Sequence, residues 1–363
     1  MAALAEELQN IANQNSVDLE LMVITDSEKW RDDFERLGVK YKKIISPKLR
    51  PVQGGKLKFL EFFKIPITLI QSLWEIFLFM PDLAFTKGGY ASVMPSAVSL
   101  IYFIPIFIHE SDSVPGSANR FISKFAKRIF ISFDDAFKYF QEKEVFSVGN
   151  PVRKELLRGD KNAAAGIFTL SLDKKTILVI GGSQGAAVIN NAVIESLVRL
   201  AGKYQIIHQT GLNNFEAVSA ETEKIKSESP QIGKNIESNY RLYPFLNEDE
   251  LKNAYALADI VVSRAGANVI FEIAALGKPA VVIPYKYSAN EHQKINAQEF
   301  SRFGAVVIEE ENLKTNILID QLEHILEPEN YKSISGKIRQ FAKPDAGYQI
   351  AASIFEYFTS KTK

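Results

Sequence analysis

The stretch Ile177-Leu-Val-Ile-Gly-Gly-Ser-Gln-Gly-Ala-Ala carries the most legible chemistry in this sequence. An apolar run of buried-strand type leads into Gly181, Gly182, Ser183, Gln184 and Gly185, and a helical pattern opens at about Ala186. Glycines let a backbone turn sharply and come close to a ligand, while the free amides and partial positive charge of a helix start favour an anion. The spacing therefore predicts a diphosphate site. It lacks the Gly-Lys-Ser/Thr of a Walker loop and the third glycine of a dinucleotide fingerprint, which counts against ATP hydrolysis and NAD binding. The plainer alternative is a tight strand-to-helix turn with no ligand.

A second small-residue turn, Ser263-Arg-Ala-Gly-Ala-Asn, also follows a strand pattern. Glu272 comes one helical turn beyond Asn268, where a carboxylate could take the two vicinal hydroxyls of a ribose. An isolated glutamate on a helix is more often solvated, but this one sits within the apolar run Val269, Ile270, Phe271, Ile273 and Ala274. His292 and Gln293 offer neutral hydrogen-bonding groups suited to sugar hydroxyls, or a polar helix cap. In the first half, Thr86-Lys-Gly-Gly-Tyr and His109-Glu110 end two strand patterns, and their loops are expected to face an interdomain cleft. His109 is a candidate general base; its plainer reading is a hydrogen-bonded structural residue.

The elements that must hold these groups alternate strand and helix from end to end, the pattern of parallel sheets covered by helices. Strands are expected at Leu19–Ile24, Leu83–Thr86, Ile106–His109, Arg128–Ser132, Ile177–Ile180, Tyr204–Gln209, Ile260–Ser263 and Ala280–Ile283. The unit strand, small-residue turn, helix, strand occurs at residues 81–109 and again at 258–284. Two such copies far apart predict two Rossmann-like doubly wound domains facing a cleft, with a boundary near Asn150-Pro151.

Length and composition set the outer limits. The 363 residues exceed what one core usually serves, and 46% apolar with 24% charged residues describe a globular chain. Lys plus Arg equals Asp plus Glu at 43 each, so no global field exists to hold nucleic acid. Zero cysteines exclude disulfides and thiolate chemistry, and the four histidines lack zinc spacing. The acidic amphipathic start predicts no signal peptide and a cytoplasmic location. Ile65–Met80 is interrupted by Pro66, Gln71, Ser72 and Glu75 and falls short of the roughly 20 apolar residues that span a bilayer. With the preceding Lys56–Lys64 it mixes basic and aromatic residues, as a helix at a membrane interface does, or as an ordinary core helix would.

Taken in order, Lys87-Gly-Gly-Tyr, His109-Glu110, Gly149-Asn-Pro-Val-Arg153, Gly181-Gly-Ser-Gln-Gly185, His208-Gln-Thr-Gly211, Ser263-Arg-Ala-Gly266, Glu272-Ile-Ala-Ala-Leu-Gly277 and His292-Gln293 resemble the MurG family over nearly the whole chain. The resemblance implies a GT-B glycosyltransferase fold. Residues 1–150 would be the acceptor and membrane-side domain, 151–342 the donor domain, and 343–363 a closing helix that braces the first. The implied reaction is inverting transfer of N-acetylglucosamine from UDP-N-acetylglucosamine to the muramic acid 4-hydroxyl of lipid I, giving lipid II, at the cytoplasmic face of the membrane.

By motif, Leu246 and Glu272 would meet uridine and ribose, Ser183 and Ala267 the diphosphate, and His292 and Gln293 the sugar. Arg153, Asp112, Gln184, Gly185 and Asn268 would complete the donor site, with Gly88, Gly89, Tyr90 and Glu110 on the acceptor side. No cofactor or metal is implied: inversion needs one in-line displacement, and helix amino termini can stabilise departing UDP. Two departures stand out. Family members begin with a strand and a Gly-Gly-Thr-Gly-Gly-His loop, carrying the histidine often assigned as base, just before the helix that Ala2–Leu8 resembles. The first domain is thus expected to lack a central strand, through either a start assigned too far downstream or a real truncation. Ser111-Asp112 also replaces the usual Gln-Asn, which bears on donor preference. Other readings are a glycolipid glycosyltransferase, a UDP-sugar epimerase, or a non-catalytic UDP-sugar-binding chain.

Overall fold

The computed structural model describes residues 1–47, 61–141, 143–182 and 185–360. Ser183, Gln184 and the Lys56–Leu60 part of the basic-aromatic segment lie outside them. The chain divides into two compact units, Met1–Pro151 with Pro344–Lys363, and Val152–Lys343.

In the first unit, α1 (Ala2–Gln14), β1 (Met22–Thr25), α2 (Arg31–Arg36) and β2 (Lys40–Lys43) are followed by α3 (Lys64–Phe79), β3 (Ala84–Thr86) and α4 (Tyr90–Ile101). Then come β4 (Ile106–Glu110), α5 (Ser117–Ile122), β5 (Arg128–Ile131) and β6 (Val145–Ser147). β3, β4, β5 and β6 form a parallel four-stranded sheet in that order, while among the described residues β1 pairs only with β2. Every residue of β4 is buried because helices cover both faces. Its side chains alternate: Ile106 and Ile108 join Ile122 and Ile129 on one face, and Phe107 joins Leu4, Leu8, Phe130 and Ile350 on the other.

Ile350 belongs to the last helix, α15 (Ala346–Thr359), which therefore packs on the first unit although it follows the second in sequence. Arg128 fixes it by donating from Nη1 to the Ser353 carbonyl and hydroxyl, both at 2.8 Å.

A cavity of about 530 Å³ separates β1 from β3. Consecutive residues Asp18–Ile24 and Phe79–Thr86 line it, with Leu4, Leu8, Pro95 and Ser96 from α1 and α4. A sheet face would present every second residue; a run without skips means that the two strands turn their edges to the space.

The second unit contains α6 (Lys161–Phe168), β7 (Thr176–Ile180), α7 (Ala187–Lys203), β8 (Gln205–Gln209), α8 (Phe215–Lys226), α9 (Pro230–Asn239), β9 (Tyr240–Tyr243) and α10 (Glu248–Leu257). It continues with β10 (Ile260–Ser263), α11 (Ala267–Leu276), β11 (Ala280–Val282), α12 (His292–Ser301), β12 (Val306–Val307), α13 (Thr315–Leu326) and α14 (Pro328–Phe341). Its parallel sheet runs β12-β11-β10-β7-β8-β9. The order reverses between β7 and β10, the switch point at whose carboxyl end doubly wound sheets bind ligands. Helix ends are set locally: Asn247 and Glu250 cap α10 reciprocally, and Gly277 ends α11 in the left-handed conformation.

Candidate functional site

At the switch point Ile180 of β7 lies opposite Ser263 of β10, so the glycine turn and the Ser263–Gly266 turn leave the sheet side by side. Gly182 and Gly185 have φ of +80° and +79°, and the Gly185 amide closes on the Gly182 carbonyl at 3.0 Å. Among the described residues α7 then begins with no side-chain cap, as an anion-binding helix start does. Gly185 is also packed against: a Cβ there would lie 2.1 Å from Asn214 Nδ2 and 2.4 Å from the Thr210 carbonyl. Next door, the Gln209 side chain accepts the Leu246 amide at 3.0 Å and seats that buried residue at the end of β8.

Ala267 opens α11, again without a side-chain cap, and is buried, whereas Asn268 is exposed. Glu272 lies one turn on. Burial pushes its carboxyl up to about 7 against the opposing charge of Arg153. The fully buried Tyr255 of α10 donates its hydroxyl to Glu272 Oε2 at 3.1 Å, and Arg153 Nη1 donates to Glu248 Oε1 at 3.0 Å. Arg153, Glu248, Tyr255 and Glu272 thus form one polar cluster. At α12, the Gln293 oxygen accepts the Tyr285 amide at 2.9 Å and its own amide donates to Ser288 Oγ. His292 is the first residue of that helix.

Two residues of this region escaped sequence reasoning. Tyr255 orients Glu272 from 17 positions away, and nothing in its local pattern marks it. Arg264 ion-pairs with Glu310, donates to the Ile283 carbonyl at 3.2 Å, and lies over the Tyr285 ring, tying together the ends of β10, β11 and β12. Its place inside the Ser263–Gly266 turn was the available signal.

In the first unit, the carboxyl ends of β3 to β6 meet in a buried network. His109 has no exposed surface; Nε2 lies 2.9 Å from the Gly149 carbonyl and 3.1 Å from Ser132 Oγ. Burial and the neighbouring Lys87 charge hold its pKa well below the ordinary value. An enclosed imidazole engaged through Nε2 with a backbone carbonyl matches the plainer reading of His109 as a hydrogen-bonded structural residue at the strand ends. Glu110 is likewise enclosed. Its Oε1 accepts the Asp112 amide at 3.0 Å, and Oε2 accepts Asn119 Nδ2 at 2.8 Å and the Gly116 amide at 3.2 Å. It staples the 111–116 loop. Gly88 and Gly89 have φ of +86° and +89°, and Tyr90 is the first residue of α4, so these three do stand at a strand-to-helix turn.

Among the described residues no cluster of His, Asp or Glu is arranged to hold a metal ion.

Comparison with known proteins adds the lineage. Residues 1–131 match the glycosyltransferase family 28 N-terminal domain and residues 176–349 its C-terminal domain. A protein of Thermodesulfovibrio yellowstonii is 35% identical over 310 residues, 82% of this chain and 81% of its own length. One of Caldanaerobacter subterraneus is 32% identical over 340 residues, 89% and 91%. Both are named UDP-N-acetylglucosamine:N-acetylmuramyl-(pentapeptide) pyrophosphoryl-undecaprenol N-acetylglucosamine transferase. The crystal structure of Acinetobacter baumannii MurG superposes with a TM-score of 0.70 at 22% identity, covering 98% of this chain and 95% of that one, which supports the two-domain fold. With both halves matched and such relatives along most of its length, the chain belongs to glycosyltransferase family 28.

Proposed function

We propose that the chain transfers N-acetylglucosamine from UDP-N-acetylglucosamine to the muramic acid 4-hydroxyl of undecaprenyl-diphospho-N-acetylmuramyl-pentapeptide, with inversion, at the cytoplasmic face of the membrane. The observation that carries this reading is the pair of uncapped helix starts at the β7–β10 switch point together with Glu272, in a chain whose curated relatives are named for that transfer. Charge develops on the diphosphate as the glycosidic bond breaks. The amides at the starts of α7 and α11 are fixed dipoles that can stabilise it without reorganising. Glu272, oriented by Tyr255, takes the ribose hydroxyls; His292 and Gln293 take the sugar.

The test incubates the chain with UDP-N-acetylglucosamine and a soluble lipid I analogue and measures UDP release with and without acceptor. Acceptor-dependent release is expected. Release that ignores the acceptor sinks the proposal in favour of an epimerase-type reaction. Donor binding with no release would overturn the transfer reading and leave a chain that binds donor without turnover.

A lipid-linked acceptor calls for contact with the membrane. α3 presents Ile67, Ile70, Trp74 and Phe77 to solvent at helical spacing, with Trp74 62% and Ile70 66% exposed; Ile101 and Phe103 are also exposed. Such an apolar stripe suits a helix lying in an interface. No helix among the described residues is long and apolar enough to cross a membrane. Replacing Ile70, Trp74 and Phe77 together by Ser is expected to weaken co-sedimentation with phosphatidylglycerol vesicles by tenfold or more, since each buried apolar side chain contributes about 1.5–3 kcal/mol. Unchanged sedimentation with a normal melting curve would remove this surface from consideration.

A further inference from the structure

Lys87 is a partly buried cation at the strand ends of the first unit, and neither the donor site nor the apolar stripe of α3 uses it. It follows β3 directly, and its Nζ donates to Asn150 Oδ1 at 2.8 Å across 63 residues. Asn150 is fully buried, and the Gly149 carbonyl beside it bonds to His109. The charged groups that act on the ammonium are the carboxylates of Asp112 and Glu110, on either side of Ser111, and His109 in turn feels the Lys87 charge. Asn119, which bonds Glu110, also touches the space over the following turn: a Cβ on Gly88 would lie 2.7 Å from its Oδ1.

Burying an ammonium is costly, and an apolar side chain of the same length would pack here at less expense if filling space were all that was needed. What an apolar residue could not do is donate to Asn150 or offset two nearby carboxylates that otherwise repel each other.

We propose that Lys87 is a positioning residue for glycosyl transfer: its ammonium clamps Asn150 and balances Asp112 and Glu110, so that the 111–116 loop and the 149–150 turn keep one arrangement beside the Gly88–Gly89 turn. This rests on the transfer reading given above. Lys87 touches no reacting atom; it acts through the loops it holds.

Lys87→Met is expected to lower kcat by roughly a hundredfold, the cost of misplacing a loop at the site by about 1 Å, while KM for UDP-N-acetylglucosamine, whose assigned contacts other than Asp112 lie in the other unit, rises by much less, within about fivefold. Because burial lowers the Lys87 ammonium to about 8, wild-type activity should fall as the pH rises through about 8. The sequence has no cysteine, so Lys87→Cys can be alkylated with bromoethylamine at that single site, in mild denaturant before refolding. The product restores an ammonium of nearly the same reach but lower basicity, because the thioether sulfur withdraws electrons. Activity should return with its alkaline limb displaced to lower pH, which a space-filling role would not produce.

Hydrogen exchange provides the second measurement: in Lys87→Met, peptides containing 111–116 and 149–150 should exchange faster than in wild type. A Lys87→Met kcat within threefold of wild type overturns the proposal, as does an alkaline limb unmoved by aminoethylation. If the unaltered chain gives no acceptor-dependent release, the transfer reading has failed. Exchange alone then decides Lys87, with faster exchange supporting the clamp and unchanged exchange overturning it.

Discussion

A Gly185→Ala chain is expected to lose donor binding by roughly two orders of magnitude and to lose stability as well. At φ of +79° an L side chain costs about 1–2 kcal/mol. The added Cβ would also sit 2.4 Å from the Thr210 carbonyl, which is backbone and cannot swing aside. The turn must therefore open, and on the proposed reading it is this turn that presents the start of α7 to the diphosphate. The strain should add a further 1–3 kcal/mol, as overpacking does, and lower the melting temperature by several degrees. Isothermal titration with UDP and a thermal scan measure the two effects. Gly202→Ala in the same helix is the control: a Cβ there meets nothing within 4 Å, and Ala is the better helix former by about 1 kcal/mol. UDP affinity in Gly185→Ala equal to that of the control would rule out the turn as the diphosphate site.

Glu272→Gln is expected to weaken UDP-N-acetylglucosamine by roughly tenfold to a hundredfold, because hydrogen bonds to a charged group contribute about 1.5–3 kcal/mol. The pH dependence separates charge from shape. The carboxyl is raised to about 7 from 4.5 by burial, so in wild type the donor should bind more weakly as the pH falls through about 7 and the carboxylate is protonated. Stability of the free chain moves oppositely. A carboxyl with a raised folded pKa contributes its full stability below the unfolded value, and that contribution is lost as the pH rises through the folded one. Wild type should therefore lose stability between about 4.5 and 7, and Glu272→Gln should lose less over that window. Donor affinity that is flat with pH in the wild type would mean that Glu272 does not contact the ribose as an anion.

Much of the fold was legible because the inner strands are buried on both faces and read as unbroken apolar runs: Ile106–Ile108, Ile177–Ile180 and Ile260–Val262. The four strands that went unread, β2, β6, β9 and β12, all lie at sheet edges. Lys40-Tyr-Lys-Lys and Tyr240-Arg-Leu-Tyr lack an apolar run because one side of each is open, and a neighbouring strand decides that they extend. The sequence also marked the positions of the donor-side groups, since glycine turns and a glutamate set in an apolar helix are local signals. Their partners are not local. Tyr255 reaches Glu272, Arg264 reaches Glu310 and Lys87 reaches Asn150 only after the strands have paired. The enclosure of His109 and the open edges of β1 and β3 follow from what surrounds them. Residue type and spacing thus determined which groups could bind a nucleotide sugar; tertiary packing decided which of them water can reach, because burial and pairing belong to the surroundings and not to the residue.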